Sequence, residues 1–208
     1  MSGMRSWSGL AAALALGLAA CGDFTSSGDP LSESEAADLA AEIVEGGFVG
    51  FGAQGAAPQG APGEAAARVT ITLNDTAPCD GGGTVAVAGT MTADVNQTTG
   101  AGTFEFNYSV APSACQVTTS GGKTFTLTGD PNIQVQGNFN WSETSADGSL
   151  TYDGKFKWTS SDGRSGACGV NLEATYDFNF GTTGSSGTAT LSGSVCGVTV
   201  NRTISVEA

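Results

Sequence analysis

The 208-residue chain carries 20 acidic against 7 basic side chains and no histidine, a formal net charge of −13. Such an excess repels nucleic acid, whose binding needs clustered Lys and Arg to displace counterions, and the missing histidine removes the usual hydrolytic triads and most metal centres. Apolar residues (39%) suffice for the core of one domain, but charged residues are only 13% and glycines number 32, so the polar surface must come from Thr, Ser, Asn and Gly, as in a β-rich envelope protein.

Residues 1–20 place one basic side chain, Arg5, ahead of an apolar run from Leu10 to Leu18 and then small residues. This is the layout of a secretory signal peptide, with an apolar stretch too short to span a bilayer. It closes in Leu18-Ala19-Ala20-Cys21. In this box the chain resembles bacterial lipoproteins, in which the cysteine receives the lipid and becomes the new N-terminus. The resemblance covers about the first tenth of the chain and implies cleavage before Cys21, a palmitate-type acyl anchor on that residue, and a membrane as partner. Several acyl chains would hold stably, each buried CH2 contributing about 0.8 kcal/mol. Gly22, where Asp would favour retention in the inner membrane of such lipoproteins, points to the outer membrane. No later segment is apolar for long enough to span a bilayer, so the rest is expected in water, on the periplasmic face or at the cell surface.

Residues 21–30 read as a polar tether and 31–46 as one short helix. Ser32 and Glu35 have capping-box spacing, Leu39, Ile43 and Val44 share one helical face, and Gly46 is a suitable stop. Asp38, Glu42 and Glu45 are expected on the wet side. Residues 47–66 read as a Gly/Ala/Pro-rich linker, with Phe48, Val49 and Phe51 free to pack on the domain or dip into lipid headgroups.

From 67 to 208 the period becomes two. Val69, Ile71 and Leu73 alternate with Arg68, Thr70 and Thr72, and Val85 to Val95 alternates in the same way. So do the stretches beginning at Phe104, Ile133, Leu150, Val170, Ala189 and Val198. One apolar and one polar face per strand is the pattern of an antiparallel sheet with a single buried side. Short turns at 98–102, 146–148, 162–163 and 182–187 favour sequential hairpins. The expected fold is therefore all-β, an antiparallel meander of about eight or nine strands with one short N-terminal helix. Such a sheet closes into an up-and-down barrel or curls strongly, and an open sheet with the helix on its apolar face is the alternative. The apolar face is placed inward, because the chain ends Val206-Glu207-Ala208 without the terminal aromatic typical of outer-membrane barrels. Gly89, Gly137, Gly154 and Gly193 fall mid-strand on that face, marking bends or a groove.

Besides Cys21, the cysteines are Cys79, Cys115, Cys168 and Cys196. An even number in an exported domain reads as two disulfides, and zinc is disfavoured without CxxC or histidine. Four cysteines allow three pairings, which spacing alone does not separate. An internal repeat does. Residues 79–127 resemble 168–206: Ala93-Asp94-Val95-Asn96 recurs as Tyr176-Asp177-Phe178-Asn179, and Cys115-Gln116-Val117-Thr118 recurs as Cys196-Gly197-Val198-Thr199. One bridge per repeat gives Cys79–Cys115 and Cys168–Cys196.

The chain has no P-loop or dinucleotide fingerprint, so no cofactor is expected. Glu105 and Glu173 are the carboxylates that a glycan-cleaving site would use, and Asp147-Gly148 and Asp162-Gly163 read as turns ahead of calcium ligands. Trp141, Tyr152, Phe156 and Trp158 form a possible ligand-facing aromatic cluster, with core packing as the plainer explanation. The expected role is non-enzymatic, either structural or binding to envelope proteins or glycans. One alternative is a carrier or sensor holding an apolar ligand inside the β domain, and a second is an envelope glycan-acting enzyme. A cavity left unfilled by aromatic side chains favours the carrier.

Overall fold

A computed structural model describes residues 27–52, 66–96, 98–181 and 184–207. The leader, Cys21, the first tether residues and linker residues 53–65 lie outside the described residues, as do the side chains of Glu45, Phe48, Val49 and Phe51.

One helix and ten strands follow in order: β1 (Ser27–Gly28), α1 (Glu33–Gly52), β2 (Ala66–Pro78), β3 (Thr84–Asn96), β4 (Gly102–Ser113), β5 (Cys115–Thr118), β6 (Thr124–Trp141), β7 (Ser145–Ser160), β8 (Ser165–Gly181), β9 (Gly184–Val195) and β10 (Val198–Glu207). All pairings are antiparallel, in the order β10-β9-β8-β7-β6-β4-β3-β2, with β5 beside β6 and β1 beside β8. Among the described residues the path does not close: β10 and β2 are its two ends. The barrel form is thereby set aside, and the curled sheet stands.

The period-two reading holds along the strands. Val135, Val170, Leu191 and Val195 are fully buried on the inner side, while Gln134, Asn171, Thr190 and Ser192 between them are exposed. Curling brings neighbouring strands close behind mid-strand glycines. Gly193, at φ +132°, stands where a Cβ would run into the Asn171 carbonyl oxygen and the Leu172 Cα. Gly89, at φ +151°, meets Asn107 and Tyr108 in the same way. A side chain is excluded there by both backbone angle and space, so curvature explains these glycines.

Several boundaries differ from expectation. The helix starts on the expected cap: the Ser32 backbone N–H donates to Glu35 Oε2 at 2.9 Å, and the Glu35 N–H donates to Ser32 Oγ at 3.3 Å. It then runs past Gly46 to Gly52, so the linker does not begin at 47. Glycine in a helix costs about 1 kcal/mol relative to alanine, a penalty and not a stop. The end of the tether is also part of the fold, since Ser27 and Gly28 pair with Ala167 and Gly166. β6 begins at Thr124, before the expected Ile133, because the register slips between Gly129 and Ile133 and masks the alternation of Phe125 and Leu127. The turn expected at 146–148 is strand, and the chain reverses just before it, where the backbone N–H groups of Thr144 and Ser145 donate to Ser142 Oγ. A hydroxyl does there what glycine does elsewhere.

A groove beside the helix

α1 lies on the inner face of the sheet, chiefly against β9 and β10. Its buried face is Ala36, Leu39, Ala40 and Val44, the i, i+3, i+4, i+8 set of an amphipathic helix. Polar contacts fix its N-terminal end. Glu35 is buried to 7% exposure and accepts from Lys123 Nζ at 2.6 Å and from both terminal nitrogens of Arg164, at 2.5 and 3.2 Å. Arg164 also donates to the Pro30 carbonyl, pairs with Asp162 at 3.0 Å, and sits 5.9 Å from the Trp158 ring. The hydrogen bonds from Arg164 lead the effects that hold the Glu35 carboxyl at about 2, well below the usual carboxylate range.

Asp38 was expected in water but faces the sheet. It accepts from Arg202 at 2.8 Å and from the hydroxyl and N–H of Ser120 at 2.7 and 3.2 Å. Burial pushes its carboxyl up, but the Ser120 and Arg202 bonds outweigh this and leave it lowered. Arg202 projects inward from an edge strand, so its charge requires a partner on the helix.

Because the helix sides with β9 and β10, it leaves a cavity of about 470 Å3 on the β2–β7 side. Val85, Val110, Val117, Leu127, Ile133 and Phe156 form apolar walls, Ile43 and Glu42 form the helical side, and the Cys79–Cys115 bridge with Asp80 stands at the rim. The groove exists because β4 and β5 form one bent strand. Ala114, at φ 50°, turns the chain between them, and the Gln116 N–H bonds to the Gly82 carbonyl at 2.9 Å. The bridge, with an S–S length of 2.05 Å, ties that bend to the β2–β3 turn. The second bridge, Cys168–Cys196, joins β8 to the β9–β10 turn and is buried, with Trp158 Nε1 donating to Cys168 Sγ at 3.0 Å. Both bridges are those that the internal repeat singles out.

Core packing, the plainer explanation, holds for three of the four aromatic residues. Tyr152, Phe156 and Trp158 are buried core, Trp158 against Phe125 and Tyr152 hydrogen-bonded to Tyr176 at 3.3 Å. Burial leads the effects that push both phenols far above their ordinary range. Of the four residues only Phe156 reaches the groove. Trp141 lies by the β6–β7 turn, 44% exposed, with its ring 4.8 Å from that of Phe180. The parity was right, but strand length separates the residues.

Glu105 and Glu173 both lie on the polar face but three strands apart, across β4, β6, β7 and β8. At roughly 4.8 Å per strand that is about 14 Å, beyond the roughly 5–9.5 Å between glycosidase carboxylates. Glu105 pairs with Arg68 at 3.4 Å, and Glu173 borders an outer-face hollow of about 260 Å3 with Asp153 and Asn171. Asp147 accepts from Asn140 at 3.0 Å, and Asp162 belongs to the helix clamp. Among the described residues no three Cys, Asp or Glu side chains converge as a metal site, and no helix is long and apolar enough to cross a membrane.

The groove expected at the mid-strand glycines lies elsewhere: none of Gly89, Gly137, Gly154 and Gly193 lines the cavity. Its lining comes from six strands and a helix, and the one local signal was the pair Ala114-Cys115, a bend sealed by a bridge. No family model, curated protein or solved structure matches the chain.

Proposed function

We propose that this chain is a lipid-anchored protein of the bacterial cell envelope, cut before Cys21, whose β domain acts by binding and not by catalysis. The lipobox supports the address, and Gly22 after it supports an outer-membrane location. Two disulfides suit an oxidising compartment outside the cytoplasm. The observation that carries the binding role is the groove. At about 470 Å3, with mainly apolar walls and a few polar groups at its rim, it falls within the range of small-ligand sites, roughly 300–1,000 Å3. The ligand would be an apolar molecule held between α1 and the β2–β7 side of the sheet, and the lipid on Cys21 would keep the carrier at the membrane that supplies it.

Two measurements test this on protein purified from the envelope of its own host. Intact mass should match a chain that begins at an acylated Cys21, and a start elsewhere with no lipid contradicts the address. An organic extract should contain one amphiphile in near-equimolar amount, reduced at least tenfold in a Val85→Trp variant that fills the groove. An extract without such a molecule, or one unchanged by the substitution, contradicts the carrier role.

A further inference from the structure

The root of the tether determines which end of the domain meets the bilayer, an inference that rests on the lipid-anchor reading above. Ser27 and Gly28 pair with Ala167 and Gly166 at the start of β8. The Asp29 N–H donates to the Ser165 carbonyl at 3.0 Å, and the Asp29 carboxylate accepts from the Ser165 N–H at 3.1 Å. Arg164 donates to the Pro30 carbonyl at 3.0 Å. Gly28, at φ +104°, lies so close to β8 that a Cβ would stand 2.4 Å from the Ser165 oxygen. Residues 27–30 are thus bound to one end of the sheet, and Cys21 lies only six residues before Ser27. A fully extended chain of that length spans about 20 Å.

The groove's rim belongs to the same end. Successive pairings run level across it: Ser27 with Ala167, Ser165 with Thr159, Ser160 with Phe125, and Thr124 with Thr118, which lines the groove. Thr118 is therefore three strands from Ser165, about 14 Å. The β2–β3 turn adjoins it, since the Gln116 N–H donates to the Gly82 carbonyl at 2.9 Å. From Ser165 to Phe180, β8 rises on the order of 50 Å to the far end, where residues 142–144 turn the chain between β6 and β7. Asp94, Glu105, Glu143, Asp147 and Asp177 gather there, with Arg68 among them. An anionic leaflet repels such a set, while the tether keeps the near end within its own reach of the lipid. We infer that the domain stands on the bilayer by its tether end. The groove's rim then faces the lipid headgroups, and ligand exchanges with the membrane across a gap set by the tether.

The test uses the full lipidated chain, purified from the envelope of its own host and added to vesicles of phosphatidylethanolamine and phosphatidylglycerol that carry an acceptor dye on a headgroup. A donor dye is attached to one introduced cysteine, Ser161→Cys at the tether end or Glu143→Cys at the far end, both exposed positions. With a reach of about 20 Å against a domain length of about 50 Å, energy transfer from the first site should exceed that from the second at least about twofold. Adding about twenty Gly/Ser residues after Gly22 extends the reach by about 25 Å and should bring the ratio towards one. Equal transfer from the two sites, or more from Glu143→Cys, overturns the inference while leaving the lipid anchor in place. A ratio that the longer tether leaves unchanged also overturns it, because the tether then does not set the orientation. A chain that does not partition onto the vesicles removes the anchor itself, and the orientation with it.

Discussion

Replacing Glu35 by Gln separates charge from geometry at the helix clamp. Glutamine still serves a capping box, so the bond to the Ser32 N–H survives while the carboxylate facing Lys123 and Arg164 is lost. A carboxyl held at about 2 when folded, against 4.5 when free, corresponds to an upper limit of about 3 kcal/mol. The partners are wetter than Glu35, at 43% exposure for Lys123 and 26% for Arg164, so screening reduces this to about 2 kcal/mol. For a domain of this size the melting temperature should fall by roughly 4–8 °C at neutral pH. The sign with pH follows from the depressed value. The stabilisation is fully present above about 4.5 and is lost as pH falls towards about 2, where the protonated acid resembles the amide. Urea unfolding of both proteins across that range, at constant m-value, should show the gap closing as pH falls. Equal stability at neutral pH, or a gap that persists at pH about 2, would refute the assignment.

Leu39→Ala, at a fully buried helix position, should destabilise by about 2–5 kcal/mol in denaturant titration, since nothing nearby fills the space. Gly193→Val should lower stability by more than 2 kcal/mol or abolish soluble expression, whereas Ser192→Val on the adjacent exposed position should change it by under about 1 kcal/mol. Paired serine variants of each bridge should lose roughly 4 kcal/mol apiece by the loop-entropy model, given sequence separations of 36 and 28. Only the Cys79/Cys115 variant should also loosen ligand binding, because that bridge borders the groove.

Most of the fold was legible because a half-buried sheet writes its two faces into alternating residues. Thr151 to Trp158 or Gln134 to Phe139 can be assigned inside and outside from the sequence alone. Three things escaped it. The slip between Gly129 and Ile133 breaks the alternation, so the first half of β6 was hidden. The Ser142 turn lacks the glycine that marks the others. The inward side of Asp38 was unreadable because its partners, Ser120 and Arg202, are 82 and 164 residues away. The same distance problem concealed where the groove lies. Periodicity says which side chains face inward, but which half of the inner face the helix covers depends on Glu35 meeting Lys123 and Arg164. The paired cysteines were legible for the opposite reason, since an internal repeat aligned them two by two.

The decisive measurement is the titration of Nile red into the full Cys21→Ser chain, with and without Val85→Trp. A saturable, equimolar rise in fluorescence that the tryptophan weakens at least tenfold, while the melting temperature stays within a few degrees, is the predicted result. No saturation, or the same affinity in both proteins, would mean that the space beside α1 holds no ligand.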